Sequence, residues 1–172
     1  MANTFDKIQT IAVGLGGATS FEFTSIPATY TDLQIFLSSR SLQGNIYGGG
    51  ALQFNSDTGS NYRWKRIRGD GSNSFSDQAN PATAITNWDM VGANATTSIF
   101  SNIEIYIPNY TVAVQKAITV KYTGEHNGVE AHMGFVGGTW TNTAAITSIK
   151  LFSAGGNLIE HSTATLYGIK NT

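Results

Sequence analysis

Four of the chain's ten Lys and Arg residues lie within Arg63-Trp-Lys-Arg-Ile-Arg68, gathered around an indole. Such a run could hold phosphate, an acidic glycan or an acidic protein surface, with Trp64 stacking on a ring. In an extended strand, however, Arg63 and Lys65 project to one side and Arg66 and Arg68 to the other. The sequence therefore favours an edge strand guarded by cations over a single positive patch. Arg68-Gly-Asp70 spells an adhesion tripeptide, yet Gly-Asp-Gly is ordinary turn chemistry and is read as a turn. His126, Glu130 and His132 are donor types for zinc or iron, but they form a site only if the loop carries His126 round to the strand. They are read as an exposed turn histidine and a strand histidine. Asp57, Asp70, Asp77 and Asp89 could converge on calcium, but their spacing fits no ligand loop and turn capping is preferred. No G-x-S-x-G elbow, P-loop lysine or H-E-x-x-H is present. The chain is accordingly read as non-enzymatic, with no metal and no cofactor.

The stretch Gly50 to Tyr62, G-A-L-Q-F-N-S-D-T-G-S-N-Y, is the best-defined local unit. Leu52 and Phe54 alternate with Gln53, and strand formers then give way to turn formers. Asn55 and Asp57 can accept from backbone N–H groups one or two residues on, and Gly59 can take a positive φ. A built loop is expected. Its Asn55, Asp57, Asn61 and Tyr62, together with Trp64, Arg66, Arg68 and Trp140, are the candidate binding residues. Exposed indoles would favour saccharide stacking, whereas sandwich cores routinely bury them.

The elements that must position these residues read as strands. Lys7 to Val13, Ser20 to Ser25, Asp32 to Ser38, Tyr62 to Ile67, Ser101 to Ile107 and Ala117 to Tyr122 show apolar alternation or a strand-forming run. Ala131 to Val136, Ile146 to Phe152 and Thr163 to Ile169 follow. In Asp32 to Ser38, Leu33, Ile35 and Leu37 face one way and Phe36 the other, which predicts a central strand partly covered on both sides. Ala84 to Met90 is ambiguous, with a possible short strand around Trp88, and Gly69 to Asn80 reads as a long surface loop. No stretch keeps apolar residues at helical spacing for three turns. About ten short antiparallel strands with turns between them, and little or no helix, predict an all-β, jelly-roll-like two-sheet β-sandwich. One domain over residues 1–172 is expected at this length.

Only 12% of residues are charged, so neutral polar groups must cover the surface, which suits a molecule that packs against others. A formal net charge of -1 gives no global attraction to nucleic acid, and no specific nucleic-acid partner is expected. No window approaches the ~18 apolar residues of a membrane span, and M-A-N-T-F-D lacks the look of a signal peptide, so neither membrane insertion nor export is expected. With Cys 0, disulfides and thiol chemistry are excluded.

Several segments, in order along nearly the whole chain, carry a resemblance. They are Ser25 to Leu33 (S-I-P-x-x-Y-T-D-L), Ser38 to Arg40 (S-x-R), Leu52 to Tyr62 (L-x-F-N-x-D-T-G-x-N-Y) and Ile107 to Tyr110 (I-P-N-Y). Trp140 to Ile149 (W-x-x-T-A-A-I-T-S-I) and Ser162 to Lys170 (S-T-x-x-L-Y-G-I-K) complete them. In these segments the chain resembles small virion proteins and fibre modules of tailed bacteriophages. The resemblance implies a structural protein of the virion, assembled in the host cytoplasm, whose partners are other virion proteins of capsid or tail. Two roles follow from it: an accessory capsid decoration or cement subunit, expected as a homo-oligomer with a trimer favoured, or a tail-fibre or receptor-binding module that recognises host saccharide. The absence of a coiled coil or helical anchor from the sequence favours the accessory subunit.

Overall fold

The computed structural model describes residues 4–125 and 131–170. Twelve strands, all paired antiparallel, build two sheets: β1 (Thr4–Ala12), β2 (Ser20–Phe23), β3 (Asp32–Ser39), β4 (Tyr47–Phe54), β5 (Tyr62–Gly69), β6 (Ser74–Ala82), β7 (Ile85–Val91), β8 (Ser101–Ile107), β9 (Lys116–Gly124), β10 (His132–Trp140), β11 (Ile149–Ser153) and β12 (Thr163–Lys170). The eight-stranded sheet has the order β1-β12-β3-β8-β9-β10-β5-β6, and the four-stranded sheet the order β2-β11-β4-β7. From β1 to β5 the chain crosses from one sheet to the other at every step, which is how a sandwich ties its layers together. The predicted all-β two-sheet sandwich is what forms, and no helix occurs among the described residues.

Alternation decides which side chains meet between the layers. Ile103, Ile105 and Ile107 of β8 are fully buried and lie beside Ile118 and Val120 of β9. Phe21, Phe23, Leu52, Phe54 and Leu151 come from the smaller sheet, and Trp88 of β7 is fully buried over the middle of the larger one. Trp88 fits because Gly50 stands opposite it on β4: a Cβ at Gly50 would lie 1.9 Å from the indole Nε1. β3 is central, as predicted, between β12 and β8. Its outward Phe36 is partly covered by Tyr167, with ring centroids 5.8 Å apart, and Tyr167 in turn touches Phe5 at 4.8 Å.

Three expectations need correction. Residues 69–80 are not a loop: Ser74–Ala82 is β6, paired with β5 from Ser74 opposite Gly69. Its polar sequence hides it, because pairing with β5 supplies the order that its own side chains do not. Tyr62–Gly69 is consequently no edge strand, since β6 lies outside it and takes up its free backbone groups. The ambiguous segment around Trp88 is a full strand, Ile85–Val91.

Candidate functional site

The loop after β4 is built as the sequence suggests, but its polar groups turn inward. The Asp57 carboxylate accepts from the Gly59 N–H at 2.9 Å, from Asn61 Nδ2 at 2.9 and 3.1 Å, and from Trp140 Nε1 at 2.8 Å. Burial pushes this carboxyl up, but the bonds from Trp140, Asn61 and Gly59 outweigh it and hold the pKa below its usual value. Asn55 reaches across to the segment before β11, donating to the Ala145 carbonyl at 2.8 Å and accepting the N–H groups of Thr147 and Ser148. The Tyr62 hydroxyl accepts the Phe54 N–H at 2.9 Å and donates to the Asp57 carbonyl at 3.1 Å. Positive φ falls on Asn55 and Ser56 (50° and 56°), and Gly59 is not among the positive-φ residues. The result is a clasp holding β4, β5, β10 and the approach to β11.

This corrects part of the expected binding set. Tyr62 and Trp140 are fully buried and Trp64 is 6% exposed, so none offers a ring face to a sugar. They are core residues because Tyr62 and Trp64 share the inner face of β5 and Trp140 closes β10 beside them. Asn55, Asp57 and Asn61 are spent on the clasp.

Arg66 and Arg68 also point inward, away from Arg63 and Lys65, as the alternation requires. Arg66 forms a two-pronged ion pair with Asp77 of β6, at 2.8 and 2.7 Å, donates to the Asn87 carbonyl at 2.8 Å and lies 3.4 Å from Asp89 of β7. Burial alone would lower the guanidinium's pKa, but the Asp77 bond and the Asp89 charge raise it instead. Arg68 lies 3.4 Å from Asp89 and 2.9 Å from Nδ1 of His132, which is itself 2.9 Å from Asp89 Oδ2. Tyr47 stacks on the imidazole with centroids 4.0 Å apart, and its hydroxyl donates to the Gly124 carbonyl. The nearby Tyr122 hydroxyl is held well above its ordinary pKa, by burial first and the Asp89 charge second. This cluster opens on a cavity of about 490 Å³ lined also by Asn45 and Asn94.

Two guanidiniums face two carboxylates, so the cluster is balanced, and it could grip an anion only by surrendering Asp77 or Asp89. His132 donates from Nδ1 to Asp89 or accepts there from Arg68, never both at once. The cluster ties β5 to β6 through Arg66 and Asp77, and β5 and β10 to β7 through Asp89. Asp77 and Asp89 do converge, as the calcium alternative imagined, but on arginine: no group of metal-binding residues occurs among the described residues. His126 and Glu130 of the metal alternative lie outside the described residues. Arg68-Gly-Asp70 is occupied at both ends, Arg68 inward and Asp70 accepting the N–H groups of Ser72 and Asn73.

The surface with binding character lies on the outer face of the eight-stranded sheet. A groove of about 920 Å³ crosses it from β3 to β6, lined by the outward Phe36, Ile67, Met133 and Phe135 with Glu104 and Lys121 between them, and at the β6 edge by Phe75, whose ring packs on the inward Arg68. Met133 is 68% and Ile67 62% exposed, far more than a monomer needs to show. Four cations (Lys7, Arg63, Lys65, Lys121) share this face with Glu104, which pairs with Lys121 at 3.4 Å. Sequence reasoning saw Phe36 and the outward cations singly. Only the strand order puts them on one surface. No protein-family model matches this chain, and no curated protein matches it in sequence.

Proposed function

We propose that the chain is a non-enzymatic structural subunit of a tailed-phage virion, docking on another virion protein through the outer face of its larger sheet. The observation that carries this is the groove with its exposed Met133, Phe135, Ile67 and Phe36. Apolar side chains left in water on β3, β10 and β5 gain free energy only when something covers them. The resemblance of the ordered segments to small virion proteins supports the same reading. A net charge of -1 for the whole chain makes the four cations on this face a local feature. They match a partner that offers an apolar segment flanked by carboxylates. The fibre-tip reading drew on Tyr62, Trp64 and Trp140, whose burial withdraws the sugar-stacking surface it needed.

The test is incorporation into particles. Phage expressing Met133→Glu or Phe135→Glu should assemble with the subunit missing, while Thr58→Glu, on an exposed loop away from this face, leaves it in place. Quantitative mass spectrometry of purified particles should find many symmetric copies. A few copies confined to the tail would support the fibre role instead, and particles lacking the wild-type chain altogether would end the proposal.

A further inference from the structure

The sandwich has four sheet edges: β1 and β6 on the large sheet, β2 and β7 on the small one. An open edge is a template for another strand, and native edges are usually blunted. β1 carries Asp6 and Lys7 and a bulge between Lys7 and Gln9. β2 is four residues long, with Glu22 paired to Lys150 at 3.3 Å. β7 is broken in register beside Asn87, whose φ is 69°. β6 has none of these guards over Ser74–Ala79. Its single charged residue, Asp77, is turned inward onto Arg66 at 2.7 Å, and Ser74, Phe75, Ser76 and Gln78 are exposed. The ladder to β5 becomes irregular only beyond Ala79.

Which backbone groups are free follows from the hairpin. The Asp70 N–H donates to the Asn73 carbonyl at 3.2 Å, and Gly69 stands opposite Ser74. Antiparallel ladders alternate, so Phe75 and Asp77 spend their N–H and C=O groups on β5, while Ser74, Ser76 and Gln78 turn theirs outward. We infer that a second copy of this chain occupies this edge, β6 running antiparallel to β6 about a two-fold axis at Ser76.

That register is self-complementary. Ser76 faces its own counterpart, Ser74 faces the partner's Gln78, and Phe75 faces the partner's Asp77. Three residue pairs use the outward groups, for about six backbone hydrogen bonds. A register centred on Asp77 would set two like charges directly opposite each other. A register centred on Ser74 would run into the Asp70–Asn73 turn. One centred on Gln78 would run into the irregular stretch at Pro81, which has no N–H. The two eight-stranded sheets would become one, and because Ser74, Phe75 and Ser76 form a wall of the outer groove, the two grooves would lie side by side. The pairing is two-fold where the resemblance implies a three-fold ring, and it stands whether or not the virion role does.

The chain has no cysteine of its own, so one introduced thiol reports position cleanly. Sedimentation velocity of the purified protein should give a dimer that dissociates on dilution. Ser76→Cys should be cross-linked to a dimer by a short bis-maleimide. Ser74→Cys, whose two copies would be roughly 13 Å apart along the strands, should react far less, as should Thr10→Cys on the opposite edge. Ser76→Lys, on an exposed outward position that leaves the core untouched, should weaken dimerisation at least tenfold with an unchanged circular-dichroism spectrum. A monomer up to the highest soluble concentration, a trimeric mass, equal cross-linking at Thr10→Cys, or an undiminished Ser76→Lys dimer would each overturn the inference.

Discussion

Replacing Asp57 with alanine removes the acceptor for Trp140 Nε1, for both contacts from Asn61 and for the Gly59 N–H. Trp140 is fully buried, so its indole N–H finds no water, and an orphaned buried donor costs about 1–3 kcal/mol. Asn61 and Gly59 lie nearer solvent and recover most of their bonds to water, which adds roughly 1 kcal/mol. The expected loss is about 2–4 kcal/mol, or roughly 5–12 °C in Tm for a domain of this size. Urea unfolding followed by tryptophan fluorescence should show the midpoint fall with the slope unchanged. In a Trp140→Phe background, where the orphan no longer exists, the same substitution should cost only about 1 kcal/mol. The pH dependence has a definite sign. Because the folded pKa of Asp57 is depressed, its contribution is present above the unfolded carboxylate value of about 3.9 and is lost as pH falls through the lower folded value. The gap between wild type and Asp57→Ala should therefore narrow in acid. A loss under about 0.5 kcal/mol, or one undiminished in the Trp140→Phe background, would show that the loop is not a clasp.

Arg66→Met should destabilise by about 2–3 kcal/mol in chemical denaturation, because Asp89, 7% exposed, keeps only Arg68 and His132 near it; adding Asp89→Asn should recover part of that loss. Gly50→Ala should cost more than about 2 kcal/mol or abolish folding, since its Cβ would overlap the Trp88 ring, and a stable variant by thermal melting would contradict the packing. Alkaline titration should destabilise the protein above pH about 10, where the unfolded chain ionises its tyrosines while burial keeps the Tyr62 pKa up at about 12. Tyr62→Phe should flatten that alkaline fall in a stability-versus-pH series, and an unchanged slope would remove Tyr62 as its cause.

Much of the fold is legible because alternation is a local property. Ile103, Ile105 and Ile107, or Ile118 and Val120, announce a half-buried strand to anyone reading at a period of two. Asn55 and Asp57 announce a built loop in the same way, through side chains suited to bonding nearby amides. β6 escapes because S-F-S-D-Q-A-N-P-A carries little strand preference of its own, and its order comes from β5 across the hairpin. The candidate site divides along the same line. That Arg66 and Arg68 part company from Arg63 and Lys65 is written in the sequence. That the inner pair is neutralised depends on Asp89, which β7 brings from 21 to 23 residues away in the chain.

The sequence by itself determined that this is an all-β sandwich, that its strands have two unlike faces, and that the Asn55–Asn61 loop is ordered. Each of those follows from residues within a few positions of one another. The tertiary structure decided which strands are neighbours, and so that Phe36, Phe135, Met133 and Ile67 line one groove, that Trp140 is spent on Asp57, and that β6 lies at an edge of the larger sheet. Strand order is chosen by the burial of the whole core, and no local pattern encodes which distant segment will lie alongside.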